Sequence, residues 1–278
     1  MNTEIIDFHT HNFPDAVAPL AIASMSKKLE DRLHPFGNGT LANQLADMDR
    51  FGIAKSVVCP VATNPRQFRP ILNYAKACRD GDFGEAAATR LVQLCSVHPD
   101  DPDFAAHLKE IADNGFKGIK IHPYYQEFFL DDPARVPFFK AARDCGLIVI
   151  AHCGLDIGYP DSPMSCGPKQ IAGLMRNVPD LTFVAGHLGG CGGNPPHAVD
   201  ELLEFPGCYA DTAVIAVCWD DPESQRVMAE WPAERLVFGT DYFWSDTQRL
   251  IDWVRRHRPQ TQDLEKIFAG NAKRLLGI

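Results

Sequence analysis

Short apolar runs rich in β-branched residues alternate along this chain with stretches of helical periodicity. The apolar runs extend from Glu4 to His11, Ala54 to Val61, Leu91 to His98, Gly115 to His122, Leu147 to His152, Leu181 to His187, Cys208 to Ala213 and Arg235 to Asp241. Between them, Leu41, Leu45, Met48 and Phe51 recur at helical spacing before a stop at Gly52, and Phe104, Leu108 and Ile111 do so between Asp103, an expected N-cap, and Gly115. Further helices are expected over 136–146, 170–178, 198–205, 223–231, 248–256 and 264–276. Strands that alternate with helices lie parallel and are joined by crossovers. Eight such units, with no G-x-G-x-x-G after the first strand, favour a closed (β/α)8 TIM barrel over an open dinucleotide-binding sheet. A barrel of this kind typically occupies roughly 250 residues, so residues 1–278 are expected to form a single domain. Two longer connections, Asn12 to Thr40 and Gly154 to Pro168, read as loops on the C-terminal face, where barrels bind their ligands.

Polar residues fall where several of these runs end. His9 and His11 close the first, and residues two apart on a strand share a face. His122, His152, His187 and Asp241 close four others, and His98 ends the third. Strand ends converge on one rim of a barrel, so residues spread over the whole chain can assemble one site. Three imidazoles and a carboxylate are donors suited to Zn²⁺ or another divalent metal, which lowers the pKa of a bound water to roughly 7. Lys120 shares the parity of His122, and reads either as a functional group or as a buried lysine paired to a carboxylate. Asp7 is expected on the face of His9, one layer deeper, as support rather than ligand. His98 reads as a turn residue, and His34, His107, His197 and His257 as solvated or capping residues on loops and helices.

Composition narrows the function classes. A net charge of −9 argues against a nucleic-acid partner. No apolar stretch approaches the roughly 20 residues that span a bilayer, and no signal-like leader opens the chain, so the expectation is a cytoplasmic protein acting on a small-molecule substrate away from membranes. Nine cysteines without a C-x-x-C pair read as reduced, buried small hydrophobes, Cys153 included. Trp231, Trp244 and Trp253 are expected to be exposed, and would suit a homodimer contact.

Several segments resemble the amidohydrolase superfamily, specifically its amidohydrolase-related branch of metal-dependent barrels. They are Asp7 to His11, Gly115 to Pro123, Ala151 to Gly154, Gly186 to Gly190, Phe238 to Asp241 and the terminal Ile267 to Leu275. The resemblance covers essentially the whole chain and implies roles. His9, His11 and His152 would be metal ligands, and Asp241 the last ligand and proton acceptor. His187 would orient or activate the attacking water. His122, Lys120 and Tyr124 would hold the substrate. A fourth-strand lysine bridges two ions in some relatives, but the Lys-x-His-Pro context of Lys120 does not suggest a bridge. The nuclease-like branch places a glutamate on the fourth strand, and none is found here. The implied activity is hydrolysis of an amide, ester or lactone. A branch resembling aminocarboxymuconate-semialdehyde decarboxylase shares the ligand pattern, so non-oxidative decarboxylation stays open, as does a barrel that only binds a ligand.

Overall fold

The computed structural model describes residues 3–30 and 32–278. Its strands are β1 (Ile5–Thr10), β2 (Ile53–Val58), β3 (Leu91–Gln93), β4 (Gly118–Ile121), β5 (Ile148–Ala151), β6 (Phe183–Ala185), β7 (Cys208–Asp211) and β8 (Leu236–Val237). Helices α1 (Ala18–Leu29), α2 (Leu41–Phe51), α3 (Phe68–Asp80), α4 (Glu85–Arg90), α5 (Phe104–Asp113), α6 (Val136–Asp144) and α7 (Pro168–Asn177) lie between the first six strands. Two more helices, Pro222–Glu230 and Thr247–His257, flank β8, and a helical segment with a wider turn at Lys266–Gly270 ends at Leu276.

Hydrogen bonding joins β1, β2 and β3 into one parallel set and β4 to β8 into another. Single bridges stitch the sets at both seams, Cys95 to Ile119 and Thr10 to Tyr242. The ring is thereby closed, and the chain is a single-domain TIM barrel. Its packing separates by strand parity. Ile6, Phe8, Val57, Leu94, Ile150, Val184 and Val237 meet in one cluster that Ala269, Ala272 and Leu276 also enter. Ile119, Ile121, Val149, Phe183, Ala210 and Phe238 pack instead with helix residues such as Leu72, Leu108, Ile111 and Phe139. Both faces of each strand are covered, which is why the strands read as near-continuous apolar runs.

The structure departs from the sequence reading in five places. The Asn12 to Thr40 connection is not simply a loop, since it contains α1. The segment between β2 and β3 holds α3 and α4, which the hydrophobic pattern did not announce. Pro70 masks α3, although it falls in the helix's first turn, where proline costs no hydrogen bond. The helix expected over 198–205 is only a tight 3₁₀ turn at Asp200–Glu204. Trp231, Trp244 and Trp253 are buried rather than exposed; their indoles fill the interior and form no surface for a partner. Asp103 does occupy the N-cap position of α5 but makes no side-chain cap bond, and Asp101 instead accepts from the Asp103 backbone. All nine cysteines are unpaired, and no described helix is long and apolar enough to cross a membrane.

The terminal helix is tied to the barrel by Asn271. Its buried amide donates to the carbonyls of Ala233 and Leu236, each at 2.6 Å. Asn271→Ala would remove both bonds, leaving the Ala233 carbonyl only the Leu236 backbone N–H, so it should lower unfolding free energy by about 2 kcal/mol. Urea denaturation should show a lower midpoint with an unchanged slope.

Candidate active site

β1 loses its regular alternation just before the site. Asp7 pairs with Ser56 and Thr10 with Val58, three steps on one strand against two on the other. A bulge of this type re-aims side chains. Asp7 consequently does not share a face with His9, as simple alternation would have it. Its carboxylate accepts from the backbone N of Thr240 at 2.9 Å and from Thr240 Oγ1 at 2.6 Å. It thus pins the residue preceding Asp241 rather than lying beneath the His9 ring.

The strand ends of β1 and β8 bring three donors together. Single donor atoms of His9, His11 and Asp241 all lie within 4.8 Å of one another. His11 Nε2 is 2.9 Å from Asp241 Oδ1, and His9 Nε2 is 3.6 Å from the same oxygen. His152 falls outside this trio. It groups with His122 and Asp156 instead, again within 4.8 Å. His187 links the groups, with its ring centroid 5.5 Å from His9 and 4.6 Å from His152.

Hydrogen bonds fix which imidazole nitrogen carries the proton. His9 Nδ1 faces the Asp211 carboxylate at 2.8 Å, and His11 Nδ1 faces the Cys59 carbonyl at 2.7 Å. Both partners only accept, so both Nδ1 atoms donate and each Nε2 keeps its lone pair. His187 Nδ1 donates to the Ala213 carbonyl at 3.1 Å, and its Nε2 accepts from His152 Nδ1 at 2.9 Å. This chain leaves His152 Nε2 as a bare acceptor, and it is buried without a partner among the described residues. Each of the three histidines expected to bind metal therefore presents an unprotonated Nε2. With Asp241 this donor set fits a divalent metal ion.

Burial and charge hold these groups in ligand form. Burial, then Lys120, pushes His9 down to about 4. Burial also pushes His122 and His152 well below the usual histidine range. Burial alone would raise Asp241, but His9 and His11 together outweigh it and hold the carboxyl far below the usual range. Neutral imidazoles and an ionised carboxylate are the states that coordinate a cation at neutral pH.

Lys120 points from β4 into the same space. It is fully buried, with Nζ 2.6 Å from His9 Nε2. Among the described residues no carboxylate lies within 4 Å of it, so it is not the acid-paired structural lysine the sequence also allowed. His122 stacks on Tyr125 at 3.8 Å and on His152 at 4.3 Å. The two imidazole planes lie 13° apart, so their in-plane lone pairs run side by side rather than converging on an ion. His122 Nε2 faces Asp156 Oδ2 at 3.4 Å, a residue that sequence reasoning left unassigned. Tyr124 lines the same cavity, and its hydroxyl reaches Met164 Sδ. His98 accepts from the Asp100 backbone N in a turn, as expected. His107 and His197 pair with Asp101 and Asp200 away from the site.

Sequence reasoning also missed Asp211, at the end of β7. One of its oxygens holds His9 Nδ1, and the other accepts from the backbone N of His187 at 2.9 Å and of Ala213 at 3.0 Å. Burial would raise its carboxyl, but His9 overrides this and brings it to about 2. The available signal was weak: a lone acid inside an apolar run, two residues before its end. One glycine makes room for His9: a Cβ on Gly239 would stand 2.8 Å from His9 Cβ, whereas one on Gly186 would meet the Ala151 carbonyl at 2.7 Å.

Asp211→Asn should weaken metal binding by roughly 10–100-fold, the usual cost of losing such support. An amide nitrogen facing His9 Nδ1 would force the proton onto Nε2 and block the lone pair. Metal content after dialysis against graded chelator measures this. Gly239→Ala should also lower metal content by displacing His9, while Gly52→Ala, which meets nothing within 4 Å, should leave metal content unchanged.

No curated protein matches the chain. Among solved structures, an uncharacterised TIM-barrel protein from Bordetella bronchiseptica superposes with a TM-score of 0.73 at 21% identity, covering 99% of this chain and 98% of that one. A 5-carboxyvanillate decarboxylase from Novosphingobium aromaticivorans, complexed with manganese, gives 0.66 at 17%, covering 100% and 97%. A probable 2-pyrone-4,6-dicarboxylic acid hydrolase from Acinetobacter baumannii gives 0.66 at 14%, covering 99% and 100%. These likenesses show the fold. The family model described as Amidohydrolase matches residues 6–278, so the chain belongs to the amidohydrolase family.

Proposed function

We propose that this protein is a metal-dependent hydrolase acting on an amide, ester or lactone of a small molecule. The observation that carries this reading is Asp241. It is an ionised carboxylate whose Oδ1 stands 2.9 Å from His11 Nε2 and 3.6 Å from His9 Nε2, on the wall of a cavity of about 780 Å³. A divalent ion held by His9, His11, His152 and Asp241 would polarise a carbonyl and acidify a water. Asp241 takes the proton released from the attacking water, since its carboxylate is already deprotonated. His187 is fixed through Nδ1 and the Asp211–backbone contact, and it would orient the nucleophile through Nε2 once that atom exchanges its bond from His152 for one from the water. His122, Lys120 and Tyr124 line the cavity and position the substrate. The nitrogen-rich donor set favours Zn²⁺, with Mn²⁺, present in a structural neighbour, as the competing ion.

Non-oxidative decarboxylation is the second reading. The cavity walls favour it, because Tyr124, Tyr125, Tyr159, Trp219 and Phe243 form flat apolar surfaces around the polar floor. Such a surface accommodates a conjugated acid and excludes water. On that reading the same floor groups hold the substrate and deliver a proton to carbon.

Incubation in H₂¹⁸O with panels of small esters, lactones, amides and carboxylated phenols separates the two. Hydrolysis is expected to place ¹⁸O in the acid product. Release of CO₂ with no ¹⁸O in the organic product would establish the second reading. Chelation should abolish turnover, and Zn²⁺ or Mn²⁺ should restore it. Asp241→Asn should lower kcat by roughly 10²–10⁴-fold, the range for a lost general base.

A further inference from the structure

α1 forms one wall of the active cavity, contributing Val17, Ala21, Met25, Lys28 and Leu29. Lys28 is unusual among these. Its ammonium donates to the Tyr159 hydroxyl and lies over the rings of Tyr159, at 4.7 Å, and Tyr125, at 5.3 Å. Among the described residues no carboxylate lies within 4 Å of it. Asp156, across the same wall, is already engaged by the Gly158 backbone N and by His122.

The charge along the cavity is therefore uneven. Lys28 and Lys120 are the only lysine or arginine side chains among the described residues that line it. Lys120 is committed to the floor against His9. Lys28 stands at the other end of the Tyr125–His122–His152 stack, separated from His152 by two rings. A cation whose hydrogen-bond partner is a neutral phenol gains an opposite charge by exchanging that contact for a carboxylate, a gain that solvent moderates because the Lys28 side chain is exposed at the cavity edge. The Tyr159 hydroxyl would then supply a second donor to the same anion. Tyr124 and Tyr159, inclined by 29° with centroids 5.8 Å apart, present broad faces beside it. Arg32 ties the end of this segment to the Ile157 carbonyl at 2.9 Å, so α1 is held over the cavity without relying on Lys28.

We propose that Lys28 is a specificity-determining residue that binds a carboxylate carried by a flat substrate at the end remote from the metal donors. The substrate class is then an unsaturated or aromatic acid whose reacting group is distinct from its recognised carboxylate. This rests on the reading of the cavity as the active site, but not on which bond is broken there.

The test is ligand binding to the metal-loaded protein, read by quenching of the cavity tryptophans Trp219 and Trp244, with benzoate and terephthalate as probes. Benzoate offers one carboxylate, and terephthalate adds a second across the ring. Terephthalate should bind about three- to fivefold tighter. Lys28→Met should remove that advantage while changing benzoate affinity less than about twofold, and Lys28→Arg should retain most of it, since the cation persists. Equal affinities in the native protein, or failure of terephthalate to bind, would overturn the proposal. So would a Lys28→Met variant that keeps the preference or weakens both ligands alike, the latter indicating a structural role. Because binding is read without turnover, failure of the hydrolase reading in the ¹⁸O experiment leaves this outcome separately legible.

Discussion

The hydrogen bonds of Asp211 set the state of the candidate site. One oxygen fixes the His9 tautomer, and the other anchors the backbone of His187 and Ala213. His187 is thereby placed to donate to the Ala213 carbonyl and accept from His152, which frees His152 Nε2. A single buried carboxylate on β7 thus governs the protonation of ligands contributed by β1 and β5. The same carboxylate holds His187 in left-handed backbone, at φ 57°, a conformation that costs a non-glycine residue free energy and persists only where its surroundings impose it. Asp241 is held similarly at φ 61°, with its backbone N donating to the His9 carbonyl. At both residues the left-handed backbone lies where the side chain turns inward off its strand.

The barrel makes this economy possible. Strands in it are short, down to the two residues of β8, and the residues just past each strand end are free to leave the ladder. Seam contacts rather than long strands keep the ring shut: Phe8 N to Phe238 O on one side and Lys120 N to Cys95 O on the other. Those same seam residues neighbour His9 and Gly239, so closure of the ring and alignment of the site depend on overlapping backbone bonds.

The ligand candidates were legible because histidine ending an apolar run is an uncommon pattern, and five such runs in order impose a barrel. Asp211 was not, because its run continues through Thr212 and Ala213 and hides the strand end. Asp156 was visible only as one acid in a Gly- and Pro-rich connection, and nothing in its spacing announces His122 as its partner. Simple parity placed Asp7 with His9 and failed, since a bulge is a backbone event that a two-residue period cannot register. α1 was hidden differently. Its apolar residues face loop side chains such as Phe13, Phe243 and Ile157 rather than the barrel, so its pattern does not resemble a core-facing crossover helix.

The contact between Lys120 and His9 bears on how the site is balanced. Lys120 Nζ occupies the lone pair that His9 would give to an ion. An ammonium and a cation cannot share one lone pair, so loading requires the lysine side chain to turn away within a fully buried floor. Counted formally, a divalent ion and an ammonium against Asp211 and Asp241 leave an excess of one positive charge, which Asp156, set against His122 and pushed up by burial to about 6, offsets only in its ionised form; uncompensated charge in such surroundings is costly. Asp7, which burial pushes up to about 7, offers partial relief at best and is bound to Thr240. Where Asp156 is protonated, the balancing negative charge has to come from the contents of the cavity, as hydroxide or as an anionic group of the substrate. That requirement holds for hydrolysis and decarboxylation alike, because it follows from the fixed charges of the floor and not from the bond that is broken.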